Sequence, residues 1–374
     1  MNTDTDSLCV AEDKPPGCSE AKNDWRQQLR NSIKDIRELK EKLLLIEEKK
    51  DIEDVIRKFP FRITPYYLSL IQRDNPRDPI LQQCVPSQKE IDLYFGLQDD
   101  PLGEEKDTVL KGLVHRYPDR VLVTLTDICP VYCRHCTRKR EWRKGFWTRT
   151  TEELESIYTY IYGHKEIRDV ILSGGDPLVL STQRLESILK RIREIGHVEI
   201  IRIGTRCPVV LPQRIDDELV SMLKKYRPIW LNTHFNHPNE ITEESSAACD
   251  RILCAGIPVN NQTVLLKNIN DDLETMTRLC QGLLRIGVRP YYLFHCDPVS
   301  GTGHFRTSID KGLEIIKGMR GFTSGLCVPT YVVDGLEGQG KVPLQPEYTL
   351  SRGKGHVVLR GYKGDVFSCY NPED

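Results

Sequence analysis

The sequence has neither a long apolar run nor a large excess of charge of one sign. It contains no stretch of about 18 consecutive apolar residues, so no membrane-spanning helix is predicted. Lysine plus arginine number 53 and aspartate plus glutamate 54, for a net charge of −1. No overall field therefore favours nucleic acid or a membrane as a partner. Residues 1–23 are polar, include Pro15 and Pro16, and lack the apolar core of a secretion signal; we expect a disordered tail there.

The sequence also lacks the second ligand pair that a structural zinc site would need near its cysteines. Its 13 cysteines are odd in number, and without a secretion signal we expect free thiols and a cytoplasmic location. Cys129, Cys133 and Cys136 follow a strand-like run at 121–126. Three thiolates at this spacing can hold three irons of a 4Fe–4S cluster and leave the fourth iron open. Zinc held with the help of His135, or buried unliganded thiols, are the alternatives.

Strand-like and helix-like patterns alternate from residue 121 onward. Such alternation predicts parallel β/α units, and six units are too few for a closed eight-fold barrel. We therefore predict an α/β fold with a partial (β/α)6 barrel, an N-terminal mostly helical segment and a β-containing C-terminal piece. The predicted barrel strands are 121–126, 169–173, 199–204, 229–234, 259–266 and 289–296, and the helices are 151–163, 182–195, 216–226, 242–255, 272–286 and 310–320.

Outside the barrel, one apolar face predicts helix over 24–58. Three further strands are predicted at 330–334, 357–362 and 366–370. The predicted units are a disordered tail (1–23), the helical segment (24–118), the barrel with its cysteine loop (119–308) and the C-terminal segment (309–374).

Polar residues end several predicted barrel strands, where a barrel collects its active site. They are Asp176, Thr205, Asn232, His234, Gln262 and Asp297. The turn Gly174-Gly175-Asp176 would let a ligand approach the backbone, and its carboxylate could accept from an ammonium; a plain tight turn explains it equally well. A glycine-rich loop at 335–340 precedes Lys341, and an exposed lysine there could form a Schiff base with pyridoxal 5′-phosphate (PLP). Most lysines, however, are simply solvated surface residues.

Long strings of this sequence resemble the lysine 2,3-aminomutase family of radical S-adenosylmethionine (SAM) enzymes, from about residue 24 to the C terminus. They are 63–70 (ITPYYLSL), 115–120 (HRYPDR), 132–138 (YCRHCTR), 233–245 (THFNHPNEITEES), 289–292 with Asp297, 304–307 (HFRT) and 328–334 (VPTYVVD). The resemblance implies an isomerase that uses SAM and PLP to move the α-amino group of L-lysine to C3, giving β-lysine.

The resemblance also implies a role for each matching residue. The residues that would bind the cluster are Cys129, Cys133 and Cys136. The residues that would bind SAM are Gly174, Gly175, Asp176 and Gln262. Lys341 would carry PLP, with Arg116 and Tyr117 at its phosphate and ring. Arg138 would bind the substrate α-carboxylate, for which a guanidinium fork is suited. Asp297 and Asp334 would hold the distal ammonium, because a buried cation needs carboxylates to offset desolvation; the alternative is that the two aspartates only form turns.

The sequence departs from the family pattern in three places. The loop before Lys341 contains Leu336 and Glu337 where the family has glycines, which would narrow the site or add a carboxylate. Phe294 replaces a tyrosine. The family's C-terminal cysteine cluster is missing, and Asp272 stands in place of the barrel cysteine that completes its zinc site. We therefore expect no structural zinc.

Other functions fit parts of the sequence. The same chemistry on arginine, ornithine, glutamate or protein-bound lysine is one alternative, and a radical SAM enzyme without PLP is another. A redox sensor or nucleic-acid-binding module would use the basic residues of 134–144, which a local anion site explains more simply. For partners we expect an amino acid substrate and an electron donor such as flavodoxin or ferredoxin, without nucleic acid or membrane, and we allow for a homo-oligomer.

Overall fold

The computed structural model describes residues 24–43, 52–143 and 145–372. The predicted tail at 1–23 lies outside the described residues, as does Lys144 of the basic stretch. None of the described helices is both long and apolar enough to cross a membrane.

A single sheet of ten strands, counted within the described residues, forms the centre of the molecule. Its strands follow one another in chain order: β1 (Thr108–Leu110), β2 (Leu113–Tyr117), β3 (Arg120–Thr124), β4 (Asp169–Ser173), β5 (Ile200–Gly204), β6 (Ile229–Thr233), β7 (Val259–Leu265), β8 (Arg289–His295), β9 (Thr330–Gly335) and β10 (Gly340–Leu344). Neighbours from β3 to β9 are parallel. The outer pairs β1–β2, β2–β3 and β9–β10 are antiparallel. A second sheet holds β11 (Thr349–Gly353), β12 (His356–Arg360) and β13 (Val366–Tyr370).

Helices connect the parallel strands, and side-chain caps fix where most of them begin. Asp216, Thr242 and Asp272, for example, each accept a backbone N–H in the first turn of the helix that follows, which satisfies a donor that the helix leaves free. The helices are α1 (Trp25–Arg30), α2 (Ile36–Lys42), α3 (Ile52–Lys58), α4 (Pro65–Ser69), α5 (Pro79–Cys84), α6 (Thr151–Gly163), α7 (Thr182–Arg193), α8 (Cys207–Val210), α9 (Asp217–Lys225), α10 (Glu243–Cys254), α11 (Leu273–Arg285) and α12 (Ile309–Met319). Short 3-10 turns lie at Gln88–Glu90, Lys139–Arg143, Pro177–Val179, Pro212–Arg214, Pro238–Glu240, Gly303–Phe305, Gly325–Cys327 and Leu336–Gly338.

The partial α/β barrel predicted from the sequence is confirmed. All six predicted barrel strands are present with ends that differ by at most two residues, because their buried aliphatic runs have few alternatives. β9, predicted in the C-terminal piece, pairs in parallel with β8 and extends the same sheet. The borders predicted at 118/119 and 308/309 both fall between elements of this sheet, and the division into units stays a prediction.

The prediction of one helical run over 24–58 is wrong. The described part holds three short helices, and α1 ends at Arg30, with Asn31 as its C-terminal cap. Ile33 forms an antiparallel bridge with Ile63, with N–H···O distances of 2.8 and 3.1 Å in the two directions. The periodic apolar residues are nevertheless buried, since Ile33, Leu39 and Leu43 lie in the core. Tertiary pairing therefore overrode a helical period here.

The stretch before the first barrel strand was also not predicted as sheet. Residues 113–117 form β2, which carries Arg116 and Tyr117 and pairs with β3. The string His115-Arg116-Tyr117-Pro118 shows no clear period of two, and its partner strands supply the order that the local sequence does not.

Buried ion pairs join the N-terminal segment to the barrel. Glu90 accepts from Arg134 Nε and Nη2 at 3.0 and 2.6 Å and from Lys139 Nζ at 2.7 Å. The side chains of Glu90 and Arg134 are fully buried. The two cations lower the pKa of Glu90 although burial opposes ionisation. Arg134 also donates to the carbonyls of Pro60 and Phe59, so the loop that carries the cysteines is fixed to residues 59–90.

We predict that Glu90→Gln lowers the free energy of unfolding by about 3 kcal/mol, because it leaves two buried cations without their carboxylate. Thermal and urea unfolding of the full chain, both followed by circular dichroism, measure the change. Glu53→Gln, at an exposed position of α3, is the matched control and should change little. A Glu90→Gln protein as stable as the wild type would contradict this account.

Candidate functional site

The three predicted cluster cysteines lie together on the loop that follows β3. Burial raises the pKa of the Cys129 thiol, and burial with the neighbouring Cys133 raises that of Cys136 to about 11. Two donors face the sulfurs: Arg206 Nη1 lies 2.7 Å from Cys133 Sγ, and the backbone N–H of Arg138 lies 3.3 Å from Cys136 Sγ. Donors of this kind stabilise thiolate sulfur, which is the form that binds iron.

The loop fits a cluster better than a single metal ion. Across the part of the chain that the structure describes, no three His, Cys, Asp or Glu side chains converge as one ion would require. A lone zinc ion needs its sulfurs about 2.3 Å from one point. A cubane carries its irons at separate corners, so three cysteines can each bind one iron without meeting at a point. The residues present therefore fit a 4Fe–4S cluster.

The glycine turn after β4 supports the cysteine loop directly. A Cβ added at Gly174, whose φ is +130°, would lie 2.3 Å from the carbonyl oxygen of Thr126. One added at Gly175 would lie 2.4 Å from the carbonyl oxygen of Ile128. The N–H of Asp176 also donates to Ile128, at 2.8 Å. These glycines are thus needed for backbone contact with the cysteine loop, whatever ligand they also meet.

The Asp176 carboxylate is already committed to internal donors. It accepts from Thr205 Oγ1 and the Arg206 N–H, each at 2.7 Å, and from the Leu178 N–H at 3.0 Å. The side chain is buried, and burial raises its pKa despite these bonds. In this structure the Asp176 carboxylate fixes the end of β5 beside the cysteine loop. The other residue predicted for SAM, Gln262, lies half-buried on β7.

Arg206 is a site residue that the sequence reasoning missed. Beyond Cys133, it donates through Nη2 to Glu240 at 2.6 Å and to Gln83 at 2.7 Å, and through Nε to the His234 carbonyl at 3.0 Å. It is buried with its charge matched by Glu240. The only sequence signal was its place after Thr205, at a strand's carboxyl end.

Lys341 and the two predicted substrate aspartates come together at β8–β10. Lys341 and Asp334 are register partners on β10 and β9, and Lys341 Nζ lies 2.6 and 2.9 Å from the two Asp334 oxygens. The ammonium also lies 4.7 Å from the centre of the Phe294 ring. Asp297 follows β8, and burial together with Asp334 raises its pKa to about 7, while Lys341 opposes the shift. The Lys341 ammonium is therefore held by Asp334, and both lie close enough to Asp297 to act on its pKa.

The two ends of the sheet meet beside this lysine. β2 and β10 are far apart in strand order, yet a Cβ added at Gly340 would lie 3.3 Å from the Tyr117 hydroxyl. One added at Gly338 would lie 3.2 Å from Arg116 Nε. Arg116 is held by Asp107 at 2.6 Å and by the Leu102 carbonyl at 2.5 Å. The structure thus brings the three predicted PLP residues to one seam.

Arg138 does not stand free beside the cluster. Its Nε and Nη2 donate to the two oxygens of Glu104 at 3.0 and 2.5 Å, and Arg140 Nη2 donates to Glu104 at 3.0 Å. The pKa of Glu104 falls to about 2 because these guanidinium groups outweigh burial. Nothing in the sequence around Glu104 indicated this partnership.

Several other expectations can be compared with the structure. Arg134 and Lys139 of the basic stretch are buried in ion pairs with Glu90, so these two residues offer no open surface to a nucleic acid. Leu336 and Glu337 are exposed. Asp272 caps α11 through its bond from Thr275 N. Apolar surroundings in the sequence predict that the cysteines at 207, 249, 254, 280, 296 and 327 are small buried core residues. Five of them are buried, whereas the prediction is wrong for Cys254, which is exposed at the end of α10.

Three cysteines beyond the first barrel strand and a glycine turn beyond the second, on a parallel partial barrel, define a radical SAM enzyme. The model of the radical SAM superfamily matches residues 123–280, and this superfamily carries a 4Fe–4S cluster with SAM. Residues 316–374 match the family model described as lysine-2,3-aminomutase. The chain belongs to the lysine 2,3-aminomutase family, as its curated relatives also show.

Similarity to these relatives covers nearly the whole chain. The chain is 51% identical to the L-lysine 2,3-aminomutase of Acetoanaerobium sticklandii, over 94% of this chain and 85% of the relative. It is 54% identical to a putative L-lysine 2,3-aminomutase of Aquifex aeolicus, over 92% and 94%. The glutamate 2,3-aminomutase of Clostridioides difficile is 44% identical, over 94% and 83%.

We predict that Asp297 makes a contribution to the stability of the protein without cofactors that is lost as the pH rises from about 4 to about 7. Folding raises the pKa of Asp297 from its ordinary value of 3.8 to about 7, so within this window this carboxyl binds more protons in the folded state than in the unfolded state. Buried histidines such as His234, His295 and His304, whose pKa burial lowers, act in the opposite direction, so the contribution is read from a comparison with a variant. The charged groups that act on this carboxyl are Asp334, Lys341, Arg306 and Glu104. Asp297→Asn removes this contribution, so the thermal midpoint of the variant relative to that of the wild type should rise as the pH increases from about 4 to about 7.

The control for this experiment is Asp250→Asn, at an exposed site on α10. It should keep the wild-type slope. An Asp297→Asn protein whose thermal midpoint changes with pH in the same way as that of the wild type would show that Asp297 makes no such contribution.

Proposed function

We propose that the protein is a lysine 2,3-aminomutase, which moves the α-amino group of L-lysine to C3. The observation that carries the proposal is the pair Asp297 and Asp334, with the Lys341 ammonium 2.6 Å from Asp334. A site that already pairs an alkylammonium with Asp334, and that places the largely buried Asp297 close enough to feel both charges, suits the distal ammonium of lysine. Family membership supplies the reaction class, and these two residues supply the choice of substrate.

The cofactors would provide the difficult chemistry: SAM at the cluster supplies the hydrogen-abstracting radical, and PLP supplies a ring that spreads unpaired spin. Cys129, Cys133 and Cys136 would hold the cluster. Gly174, Gly175, Asp176 and Gln262 would line the SAM site; since the Asp176 carboxylate is occupied, its share would come from the backbone of this turn.

The seam between β2 and β10 would hold PLP. Arg116 offers a guanidinium for the phosphate, and Tyr117 lies beside Gly340, next to the lysine. Lys341 cannot carry the cofactor and remain a free ammonium against Asp334. Loading PLP would therefore release that carboxylate for the substrate.

The substrate would lie between two regions of opposite charge. Arg138 would bind the α-carboxylate, and Asp297 with Asp334 would bind the distal ammonium. The Phe294 ring, whose centre lies 4.7 Å from Lys341 Nζ, would line the site beside that ammonium. This polarity fixes which end of the substrate meets PLP and which end reaches the carboxylates.

Glutamate is the alternative substrate that one relative suggests. Its side-chain carboxylate would meet Asp297 and Asp334, and like charges in a buried site repel strongly. Ornithine and arginine keep the positive charge but change the length of the side chain, so both remain in the test. We further propose a cytoplasmic setting, reduction by flavodoxin or ferredoxin, and no structural zinc.

The test is anaerobic turnover. The protein is reconstituted with iron, sulfide and PLP, reduced with dithionite, and given SAM with each of lysine, arginine, ornithine and glutamate. We expect β-lysine from lysine, detected by mass spectrometry after chiral derivatisation. Turnover of another amino acid instead of lysine would refute lysine as the substrate. SAM cleavage without any β-amino acid would refute the assignment as an aminomutase.

We predict that Asp334→Asn lowers kcat/KM for lysine by about a hundredfold, since one buried charge-assisted contact to the substrate is lost. Spin signals of the reduced cluster and PLP absorbance should stay at wild-type levels, because neither rests on this carboxylate. Asp365→Asn, at an exposed site near β13, is the control. Full activity in Asp334→Asn would remove this residue from the substrate site.

A further inference from the structure

One short segment touches three parts of the site that are distant in sequence. We name residues 100–107 the strap. Its Glu104 pairs with Arg138 on the cysteine loop, and its Asp107 pairs with Arg116 on β2. The carbonyl of its Pro101 accepts from the Glu337 N–H at 2.8 Å, in the loop before Lys341. The strap thus links the proposed sites for the substrate carboxylate, the PLP phosphate and the PLP lysine.

Glu104 holds Arg138 along one edge of its guanidinium. The two Glu104 oxygens take Nε and Nη2, and the strap leaves Nη1 unengaged. The backbone N–H of Arg138 is fixed on Cys136 Sγ at 3.3 Å. Arg138 is therefore fixed at its backbone and along one edge of its planar head. A guanidinium held in this way can still present its other edge to a carboxylate.

The strap holds Arg116 in the same manner. The Asp107 carboxylate accepts a hydrogen bond from Arg116 Nε, and the Leu102 carbonyl accepts one from Arg116 Nη2. Both arginines that the proposed function assigns to anions are thus gripped through the same two nitrogens. The repeated pattern indicates that the strap orients anion-binding groups.

Glu104 is poorly placed to act as a mobile stand-in for the substrate. Its side chain is only 16% exposed and also accepts from Arg140. Its backbone carbonyl accepts from Thr108 Oγ1 at 2.7 Å, and the strap closes on itself through bonds from Gly103 N and Glu105 N to Asp100. Turning the Glu104 side chain away would break its bonds to both arginines, and these backbone contacts keep the residue itself in place.

We propose that Glu104 is a positioning residue that clamps the Nε–Nη2 edge of Arg138, so that Nη1 meets the substrate α-carboxylate. The inference rests on the proposed function, because it takes Arg138 as the carboxylate ligand. It adds a residue that touches no substrate but decides how well a carboxylate is bound.

The test compares two ligands that differ in the carboxylate alone. Lysine and 1,5-diaminopentane share both amines, and only lysine has a group for Arg138. Each is titrated into the full chain reconstituted with cluster and PLP, without SAM, and binding is followed by PLP absorbance. The variants are Glu104→Gln, Glu104→Asp and the control Glu105→Gln, whose carboxylate on the same strap is 70% exposed.

We expect Glu104→Gln to weaken the binding of lysine about tenfold, which is the scale of one charge-assisted hydrogen bond. The affinity for diaminopentane should stay unchanged. Glu104→Asp should recover part of the loss, and Glu105→Gln should bind both ligands as the wild type does. The selective loss is the signature of the clamp, because a general weakening of the fold would affect both ligands.

Three results would overturn the inference. Tighter lysine binding in Glu104→Gln would mean that Glu104 competes with the substrate for Arg138. Equal weakening of both ligands, or no change in either, would mean that the strap only supports the fold. The proposed function fails separately: if the wild type forms no β-lysine but Glu104→Gln still loses lysine selectively, the clamp stands and the assigned reaction falls.

Discussion

The site depends on matching the buried positive charge of the cysteine loop and its surroundings. Arg134 and Lys139 form ion pairs with Glu90, and Arg138 and Arg140 form ion pairs with Glu104. Arg206 forms an ion pair with Glu240. Each carboxylate comes from outside the loop, so the N-terminal segment and the strand ends of the barrel converge on it. Charges removed from water are tolerated only when paired in this way, and the pairing fixes the loop that presents three thiols.

The same pairing relates the cluster to the remainder of the active site. Arg206 connects Cys133 to the turn that follows β6 through Glu240 and to α5 through Gln83. Arg138 connects Cys136 to the strap, and the strap reaches the seam where Lys341 lies. A radical formed beside the cluster would thus arise a short chain of fixed side chains away from the proposed amino acid site. Rigid placement of this sort is what positioning catalysis requires.

The seam itself is a consequence of curvature. A flat ten-stranded sheet would leave β2 and β10 at opposite edges, whereas here Tyr117 contacts the Gly340 region. Strand twist accumulates in one direction and brings the ends of a long parallel sheet toward each other. Glycines at 338 and 340 let the loop before Lys341 pass close to Arg116 and Tyr117.

The sequence by itself determined the barrel, because buried strands and amphipathic helices are local patterns, and it determined the cysteine loop, because its three thiols lie within eight residues. It also indicated Lys341, Asp297 and Asp334, through strings typical of the family. Only the tertiary structure decided that Ile33 joins a bridge and that 113–117 is a strand, since both depend on distant partners. It alone revealed Glu104 and Arg206. A polar contact between residues 34 or 73 positions apart leaves no periodic trace in the sequence, because such pairing depends on where the folded chain brings two groups together.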